Sequence, residues 1–251
     1  MSSKPEKVSI IIPVLNELNN LRHLLNHLLR ISDSNSEIIV ADGGSTDGSL
    51  AYVAQFGSVK LVQCKVASRA HQLNSGAKAA SGSIYYFLHA DAWPPKSFLT
   101  SIRQAVNNNY PLGCFQMFLT GKRSKLIRIN SYFSASKNIF SGGGDQSLYI
   151  AAELFNHYKG FDEQWVIMED FEFIRRLKPA YTLNYIDRKI LVSSRKYYQN
   201  SYLRVNLANL VAFLLFSLGC RPALIKIFYT KALHTSLRND INNAGSAIPS
   251  A

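Results

Sequence analysis

Acidic and polar residues of this sequence stand directly after short apolar runs, in positions where they could bind a ligand or a metal. Run by run, these residues are Pro13, Asn16 and Glu17, then Asp42 and Ser45, and then His89 and Asp91. If the runs are parallel strands, their carboxyl ends meet at one edge of a sheet, which is where open α/β sheets bind ligands. The spacing therefore predicts one cleft lined by carboxylates, an imidazole and smaller polar groups.

His89 and Asp91 carry the candidate metal chemistry. One residue separates them after an apolar run, so both side chains can point to the same side of the chain. A carboxylate with a neighbouring imidazole or water can hold a divalent cation, and the cation can bridge the oxygens of a diphosphate. The pattern also allows a simpler interpretation, in which Asp91 caps the turn before Trp93 and His89 only packs.

Residues 42–48 form a glycine-bearing turn that opens a predicted helix. The turn has neither the Gly-Lys-Ser/Thr of a Walker A loop nor a GxGxxG fingerprint. Asp42 suits hydrogen bonding to a base or a ribose rather than a backbone cradle for phosphates. The alternative is an ordinary helix start in which Ser45 or Asp47 caps the helix.

Glu169 and Asp170 start an apolar stripe at helical spacing. Adjacent carboxylates there could supply a general base for an acceptor hydroxyl. Acidic residues are also expected in the first turn of any helix, because they complement the helix dipole. A second polar, glycine-rich loop is a candidate for the acceptor side. It consists of Gly143, Gly144, Asp145 and Gln146.

The elements that must position these residues alternate between strands and helices. Apolar, β-branched runs predict strands at residues 8–12, 37–41, 59–63 and 83–88. Apolar residues at helical spacing predict helices at residues 18–29, 47–56 and 70–80. Pro13 is expected to end the first strand, and Asn16 to cap the first helix. This alternation predicts an α/β fold with a mostly parallel sheet covered on both faces.

The second half of the chain is predicted to be less regular. A strand, a short strand and a strand pair are predicted at residues 113–120, 147–150 and 181–193. Helices are predicted at residues 123–140, at 169–177 and, broken at 219–222, at 201–237. The predicted units are an α/β domain at residues 1–198, a helical C-terminal appendage at 199–238 and a flexible tail at 239–251.

The composition excludes several classes of protein. With 47% hydrophobic and 18% charged residues among 251, the chain is neither disordered nor fibrous. Its three cysteines form no CxxC pair, which excludes a disulfide scaffold and a cysteine zinc knuckle and favours a reducing compartment. The start, MSSKPEK, does not lead into the apolar segment of a secretory signal, so we expect a cytoplasmic protein.

The net charge of +12 is concentrated near the C-terminus: residues 1–172 carry +2 and residues 173–251 carry +10. Such a region suits a phosphate-bearing ligand, an anionic lipid surface or a nucleic acid, or it is a solvated surface. The uncharged stretch at residues 205–220 is too short and too polar to cross a bilayer. It is predicted to be a buried helix or, alternatively, an interfacial helix on the cytoplasmic membrane face that suits a lipid-like acceptor.

Taken together and in order, these motifs resemble glycosyltransferase family 2, which has the GT-A fold. The matching segments are residues 9–17, 39–49, 69–82, 87–91 and 168–170. The resemblance implies an inverting transfer in which Mg²⁺ or Mn²⁺ lies on Asp91, helped by His89, and Asp170 beside Glu169 is the general base. The residues that it implies for binding the nucleotide-sugar donor are Pro13, Asn16, Glu17, Asp42, Ser45, Arg69, Asp91 and Arg195.

Four segments, residues 69–77, 89–95, 142–146 and 194–198, are similar to a small bacterial subgroup of glycosyltransferases, some of them labelled carotenoid-acid (diaponeurosporenoate) glycosyltransferase-like. Two positions depart from the wider family: Gly43 stands where many relatives carry a second aspartate, and His89 stands first in the DxD element. The Gln-x-x-Arg-Trp element of processive synthases is also missing from the sequence. The resemblance therefore implies transfer of a single sugar to a hydroxyl or carboxyl group.

Two other functions fit parts of the sequence. A sugar nucleotidyltransferase shares the sheet and the metal chemistry, but it would carry a glycine-rich loop with Arg and Lys after the first strand, where this chain has Pro-Val-Leu-Asn-Glu. A nucleic-acid-binding protein would explain the basic region, yet it would carry aromatic and basic residues interleaved on a sheet face. We therefore expect no nucleic-acid partner.

Overall fold

The structure is a computed structural model that describes residues 6–120, 147–195, 197 and 200–233. The first half contains β1 (Val8–Val14), α1 (Leu18–Ile31), β2 (Ser36–Asp42), α2 (Ser49–Val53), β3 (Val59–Gln63), α3 (Arg69–Ala79), β4 (Ile84–Phe87), β5 (Ala92–Trp93) and α4 (Phe98–Asn107). The second half contains β6 (Leu112–Thr120), β7 (Leu148–Ala151), α5 (Ala152–His157), α6 (Glu169–Leu177), β8 (Asn184–Ser193), α7 (Tyr202–Ser217) and α8 (Pro222–Ala232). The helix predicted at 123–140 lies outside the described residues.

The described strands form one sheet in the order β3-β2-β1-β4-β7-β6-β8-β5. The strands β3, β2, β1 and β4 run parallel to one another, and β6 runs parallel to β8. The strand β7 is antiparallel to both β4 and β6, and β5 is antiparallel to β8. The predicted mostly parallel α/β sheet with a helical C-terminal region is confirmed.

Two apolar cores cover the two faces of the sheet, because alternate side chains of a strand point to opposite faces. On one face Ile10 and Ile12 pack with the leucines of α1, and on the other Ile11 packs with α3. At Gly76 of α3 a Cβ atom would lie 2.4 Å from Cγ2 of Ile11, so only glycine lets this helix approach β1 so closely.

The first strand does not end at Pro13, as predicted, but continues to Val14. The carbonyl of Ile11 accepts a hydrogen bond from Leu88 N, so the backbone N–H and C=O of residue 11 point towards β4. The backbone of residue 13 points the same way, but β4 ends at Phe87, which pairs with Ile11, so no β4 residue lies opposite Pro13. The missing N–H of proline therefore costs no hydrogen bond in the sheet.

Two other local predictions were wrong. The segment predicted as a strand pair at 181–193 is a single strand, β8, which pairs with β6 across a register shift between Phe115 and Gln116. The cap of α1 is not Asn16 but Glu17, whose side chain makes no capping hydrogen bond. Asn16 instead takes the left-handed conformation, with φ 55°.

The helices α7 and α8 pack against the rest of the chain through aromatic rings. The ring of Phe216 in α7 lies 5.1 Å from that of Trp165, and the guanidinium of Arg175 in α6 lies 4.6 Å from the centre of the Phe216 ring. Arg204 donates from Nε to the carbonyl of Ala232 at 2.6 Å, which ties the start of α7 to the end of α8. In the part of the chain that the structure describes, no helix has both the length and the apolar character of a membrane span.

We expect Glu37 to make the stability of the fold sensitive to acid. Burial alone would raise its pKa, but hydrogen bonds from Ser9 and Ser81, with the charge of Lys7, lower it from 4.5 to about 2. The folded protein therefore binds its proton less readily than the unfolded chain does, so this contribution to stability is complete above pH 4.5 and is lost as the pH falls towards 2. Denaturant unfolding at a series of pH values should show a shallower acid loss for Glu37→Gln than for the wild type. The exposed Glu6→Gln is the control, and parallel losses in Glu37→Gln and the wild type would contradict the prediction.

Candidate functional site

The predicted site residues that follow β1, β2 and β4 lie at the carboxyl edge of the parallel half of the sheet. The strands β2, β1 and β4 are neighbours and run in the same direction. The segments that follow them therefore leave the sheet at the same edge. Asn16 and Glu17 follow β1, Asp42 ends β2, and His89 with Asp91 follows β4.

Hydrogen bonds join the loop after β1 to the turn after β2. The backbone N–H of Asn16 donates to Oγ of Ser45 at 2.9 Å, and Oδ1 of Asn16 accepts from the backbone N–H of Thr46 at 2.8 Å. The N–H of Gly43 donates to the carbonyl of Val14 at 2.8 Å. The left-handed conformation of Asn16 thus serves the contact between the two loops, and Asn16 and Ser45 lie together as predicted.

Asp47 connects the starts of two helices. Its Oδ2 accepts from the N–H of Leu18, the first residue of α1, at 2.9 Å. Its Oδ1 accepts from the N–H and the hydroxyl of Ser49 at the start of α2, at 3.0 and 2.6 Å. Burial would raise the pKa of Asp47, but these hydrogen bonds outweigh it and hold the pKa below its usual value. The carboxylate therefore stabilises both helix starts.

Asp42 is buried, with 2% of its surface exposed. Its Oδ2 accepts from the N–H groups of Gly44 and Ser45 at 2.8 and 2.9 Å, which fixes the direction of the carboxylate. Its Oδ1 is buried and finds no hydrogen-bond partner among the residues that the structure describes. A buried acceptor without a donor is costly, so this oxygen is a candidate to receive a donor from a ligand.

Gln72 is a structural part of the site that sequence reasoning missed. Its Nε2 donates to the carbonyls of Val14 and Ala41 at 2.7 and 2.9 Å, joining the ends of β1 and β2. A Cβ atom on Gly43 would lie 3.0 Å from Cδ of Gln72, so glycine at position 43 leaves room for this amide. A polar residue on the buried side of a predicted helix is the one signal that could have identified Gln72.

Asp91 lies between three strands. It follows β4 and precedes β5, and its carbonyl accepts from the N–H of Ser193 at the end of β8, at 3.0 Å. The N–H of Ala92 donates to the carbonyl of His89 at 3.1 Å, so the backbone turns here before Trp93, which lies in β5. The backbone at Asp91 is therefore fixed at the edge of the sheet by the hydrogen bond from the end of β8 and by the turn between β4 and β5.

The donor set at Asp91 suits a cation that is shared with substrate. Among the described residues, no three His, Cys, Asp or Glu side chains cluster as the ligands of a metal held by protein alone. Mg²⁺ in phosphate-binding sites usually takes only one or two carboxylates from the protein and completes its shell with phosphate oxygens and water. Asp91, with His89 two residues before it, fits that mode of binding.

Arg195 and Glu17 form an ion pair that brings the segment after β8 to the loop after β1. Nη2 of Arg195 lies 2.9 Å from Oε1 of Glu17, and Nη1 lies 3.3 Å from Oε2. The guanidinium remains about half exposed. Two residues predicted to bind the donor therefore lie in direct contact, and one of them is a cation on the same edge as Asp91.

The acidic pair at the start of α6 is held from α3. Glu169 is 2% exposed, and its Oε1 accepts from Nη1 of Arg69 at 3.1 Å. Asn74 of α3 exchanges hydrogen bonds with the backbone of Phe161, at 2.8 and 3.0 Å, and so fixes the segment that leads to the pair. Oδ1 of Asp170 accepts from the N–H of the next residue, at 2.8 Å.

The contacts therefore bring together three sets of predicted residues: Asn16 with Ser45, Glu17 with Arg195, and Arg69 with Glu169. The mutual approach of the carboxylates of Asp42, Asp91 and Asp170 stays a prediction. The predicted acceptor-side residues Gly143, Gly144, Asp145 and Gln146 lie outside the described residues.

Comparison with known proteins identifies the family of this chain. The profile of Glycosyl transferase family 2 matches residues 9–165, which is more than half of the chain. The chain belongs to glycosyltransferase family 2. The match includes β1, β2 and β4 and their loops and ends just before the acidic pair. The carotenoid-acid subgroup suggested by the sequence is not identified by these comparisons.

Curated glycosyltransferases match part of the chain. Glycosyltransferase AglE of Haloferax volcanii is 32% identical over 106 residues, which cover 39% of this chain and 35% of that protein. The dolichol-phosphate mannosyltransferase of Pyrococcus furiosus is 28% identical over 120 residues, covering 46% of this chain and 34% of that protein. The matched segments thus span about a third of the length of these two relatives.

Solved structures share the GT-A fold of this family 2 chain. The mannosyltransferase PcManGT of Pyrobaculum calidifontis, in complex with GDP-Man and Mn²⁺, superposes with a TM-score of 0.62 over 93% of this chain and 71% of its own, at 18% identity. TarS of S. aureus, in complex with UDP, gives a TM-score of 0.60 over 90% of this chain and 70% of its own, also at 18% identity. At these identities the likeness shows the fold.

Proposed function

We propose that this chain transfers a single sugar from a nucleoside-diphosphate sugar to a hydroxyl or carboxyl group of an acceptor, with inversion at the anomeric carbon. The observation that carries the proposal is the carboxyl edge of the sheet in a chain of glycosyltransferase family 2: Asp42 ends β2 and Asp91 follows β4, the two parallel strands on either side of β1. The complexes of PcManGT with GDP-Man and Mn²⁺ and of TarS with UDP support a nucleotide-sugar donor. The carotenoid-acid acceptor that the sequence suggests stays a prediction.

The turn after β2 supplies the subsite for the base of the donor. Oδ1 of Asp42 is buried without a partner among the described residues, and an N–H of a base would satisfy it. Oδ2 is already occupied by two backbone N–H groups, so the carboxylate cannot rotate freely. The hydrogen bonds of Asn16 to Ser45 and Thr46 hold the neighbouring loop in place before the donor binds.

Asp91 and Arg195 face the diphosphate in this proposal. Asp91, helped by His89, would hold Mg²⁺ or Mn²⁺, and the cation would supply positive charge to the departing diphosphate. Arg195 adds a guanidinium, which matches phosphate oxygens geometrically, once its pair with Glu17 opens or is shared. Positive charge fixed where negative charge develops is the usual source of the largest catalytic effect.

Asp170 acts on the acceptor. Its carboxylate removes the proton from the acceptor hydroxyl as the oxygen attacks the anomeric carbon, and the bond from that carbon to the diphosphate oxygen breaks in the same displacement. Glu169 is held by Arg69 and is buried, so it positions the first turn of α6 and leaves Asp170 to take the proton.

A thermal-shift panel of nucleoside diphosphates and nucleotide sugars, with and without Mn²⁺, tests the proposal. We expect one nucleoside diphosphate to raise the melting temperature, and Mn²⁺ to increase that shift, because a ligand that binds only the folded state stabilises it. The anomeric configuration of the product, read by NMR, then tests inversion. Salt-sensitive retention on DNA with no nucleotide shift would contradict the proposal, and so would release of pyrophosphate from a nucleoside triphosphate and a sugar phosphate.

A further inference from the structure

The helix α7 is apolar on two opposite sides. Its inner side is buried against the rest of the chain and consists of Val205, Ala208, Ala212 and Phe216. Its outer side consists of leucines that are 43% to 79% exposed and recur three and four residues apart: Leu203, Leu207, Leu210, Leu214 and, at the helix end, Leu218. A surface helix of a soluble protein normally carries polar residues on its outer side. An exposed row of five large aliphatic side chains therefore indicates a binding surface.

The helix α8, which is tied to α7 by the hydrogen bond of Arg204 to Ala232, also exposes apolar side chains and carries positive charge. Leu224 and Ile227 are 58% and 52% exposed. Residues 201–233 contain four basic residues and no acidic residue. The four, all exposed, are Arg204, Arg221, Lys226 and Lys231. Long basic side chains beside an apolar surface can extend their charged ends to the level of lipid phosphates while their stems stay in apolar surroundings.

We propose that the leucine face of α7, together with the exposed side of α8, docks on the surface of an anionic lipid bilayer. The positive charge without any acidic residue favours anionic lipid over a second copy of the chain, because two copies would bring like charges together. The helices lie in the plane of the interface rather than crossing the bilayer. The apolar side chains enter the boundary between head groups and acyl chains, and the basic residues contact the phosphates.

The docking surface lies close to the proposed catalytic base. Phe171, the residue after Asp170, packs on the rings of Phe213 and Phe216 of α7, with ring centres 5.8 and 6.2 Å apart. The leucine face is on the far side of the same helix, and one helix is about 10 Å across. The start of α6 thus lies about one helix diameter from the lipid surface. If the proposed function holds, the acceptor is a molecule whose polar end is presented at a membrane.

Flotation of the full chain with lipid vesicles at low salt, without nucleotide or metal, tests the docking alone. The vesicles contain either phosphatidylcholine only or phosphatidylcholine with phosphatidylglycerol. We expect the wild type to float with the anionic vesicles and to stay in the bulk fraction with the neutral ones. The double variant Leu207→Gln/Leu214→Gln and the charge variant Lys226→Glu/Lys231→Glu should each bind about tenfold more weakly or worse.

Two single variants outside the docking surface control for the effect of each type of substitution on hydrophobicity and charge. Leu29→Gln changes an exposed leucine of α1, and Lys65→Glu changes an exposed lysine of the segment after β3. Both should float like the wild type, and circular dichroism melts should show that all variants are folded. A wild type that stays in the bulk fraction with anionic vesicles would overturn the proposal. It would also fall if the wild type were a dimer that Leu207→Gln/Leu214→Gln converts to a monomer. Flotation requires no catalysis, so its failure leaves the proposed function standing, and the reverse also holds.

Discussion

Replacement of Asp170 by Asn is expected to lower the turnover number by about 10²–10⁴-fold, because it removes the proposed general base and keeps the shape of the side chain. The Oδ1 atom of Asn can still accept from the N–H of Phe171, so the first turn of α6 should keep its geometry. Binding of the nucleotide donor should stay near the wild-type level, because the proposed role of Asp170 is on the acceptor. Steady-state kinetics with saturating donor, together with the nucleotide thermal shift, measure the two effects separately.

Asp162→Asn is a matched control for this variant. The carboxylate of Asp162, like that of Asp170, accepts a hydrogen bond from a nearby backbone N–H, here that of Gln164 at 3.0 Å. It lies in the segment that leads to α6 but is not part of the acidic pair, and its variant should keep wild-type turnover. Near-normal turnover of Asp170→Asn would remove this residue from the role of base.

Asp91→Asn is expected to abolish the effect of Mn²⁺ on nucleotide binding and to lower turnover by about 10²–10³-fold, as removal of one preorganised electrostatic group does. The backbone contact of Asp91 with Ser193 does not depend on the side chain, so the fold should be retained. The measurement is a titration of Mn²⁺ at fixed nucleoside diphosphate, followed by thermal shift.

Asp187→Asn serves as the control on the same sheet. Asp187 is an exposed residue of β8 whose carboxylate accepts from Nε2 of Gln116 at 3.0 Å. Its variant should respond to Mn²⁺ as the wild type does. A Mn²⁺-dependent shift that persists in Asp91→Asn would place the cation elsewhere and would leave Asp91 with a structural role at the junction of β4 and β5.

The parallel half of the fold was predictable because its signals are local. Apolar β-branched runs identified the first four strands to within two residues at each end, and the third matched residue for residue. The helix at Glu169–Leu177 was also predicted with its observed bounds. Alternation of these elements sufficed for the parallel sheet, because right-handed crossovers leave few other arrangements. The single strand β8 was missed because its partner, β6, lies far away in the sequence.

The contacts among the predicted site residues could not be predicted from the sequence. Asn16 is a residue type that often caps helices, yet the first N–H of α1 is accepted by the carboxylate of Asp47, 29 residues beyond the helix start. In the sequence, Gly43 stood out only as a departure from the wider family. The structure explains this glycine by the nearby side-chain amide of Gln72, which lies in α3. The pairs Glu17–Arg195 and Arg69–Glu169 join residues 178 and 100 positions apart. No local pattern contains such information.

The shared use of Asp47 by α1 and α2 has a consequence for how this chain can change. The turn after β2 cannot be lengthened or shortened freely, because each insertion there would also withdraw the acceptor from the first N–H of α1. Two crossover connections are thus coupled through one carboxylate, and changes in one must be matched in the other. If this turn binds the donor as proposed, a change in donor preference is more easily accommodated by exchanging side chains within the turn than by altering its length.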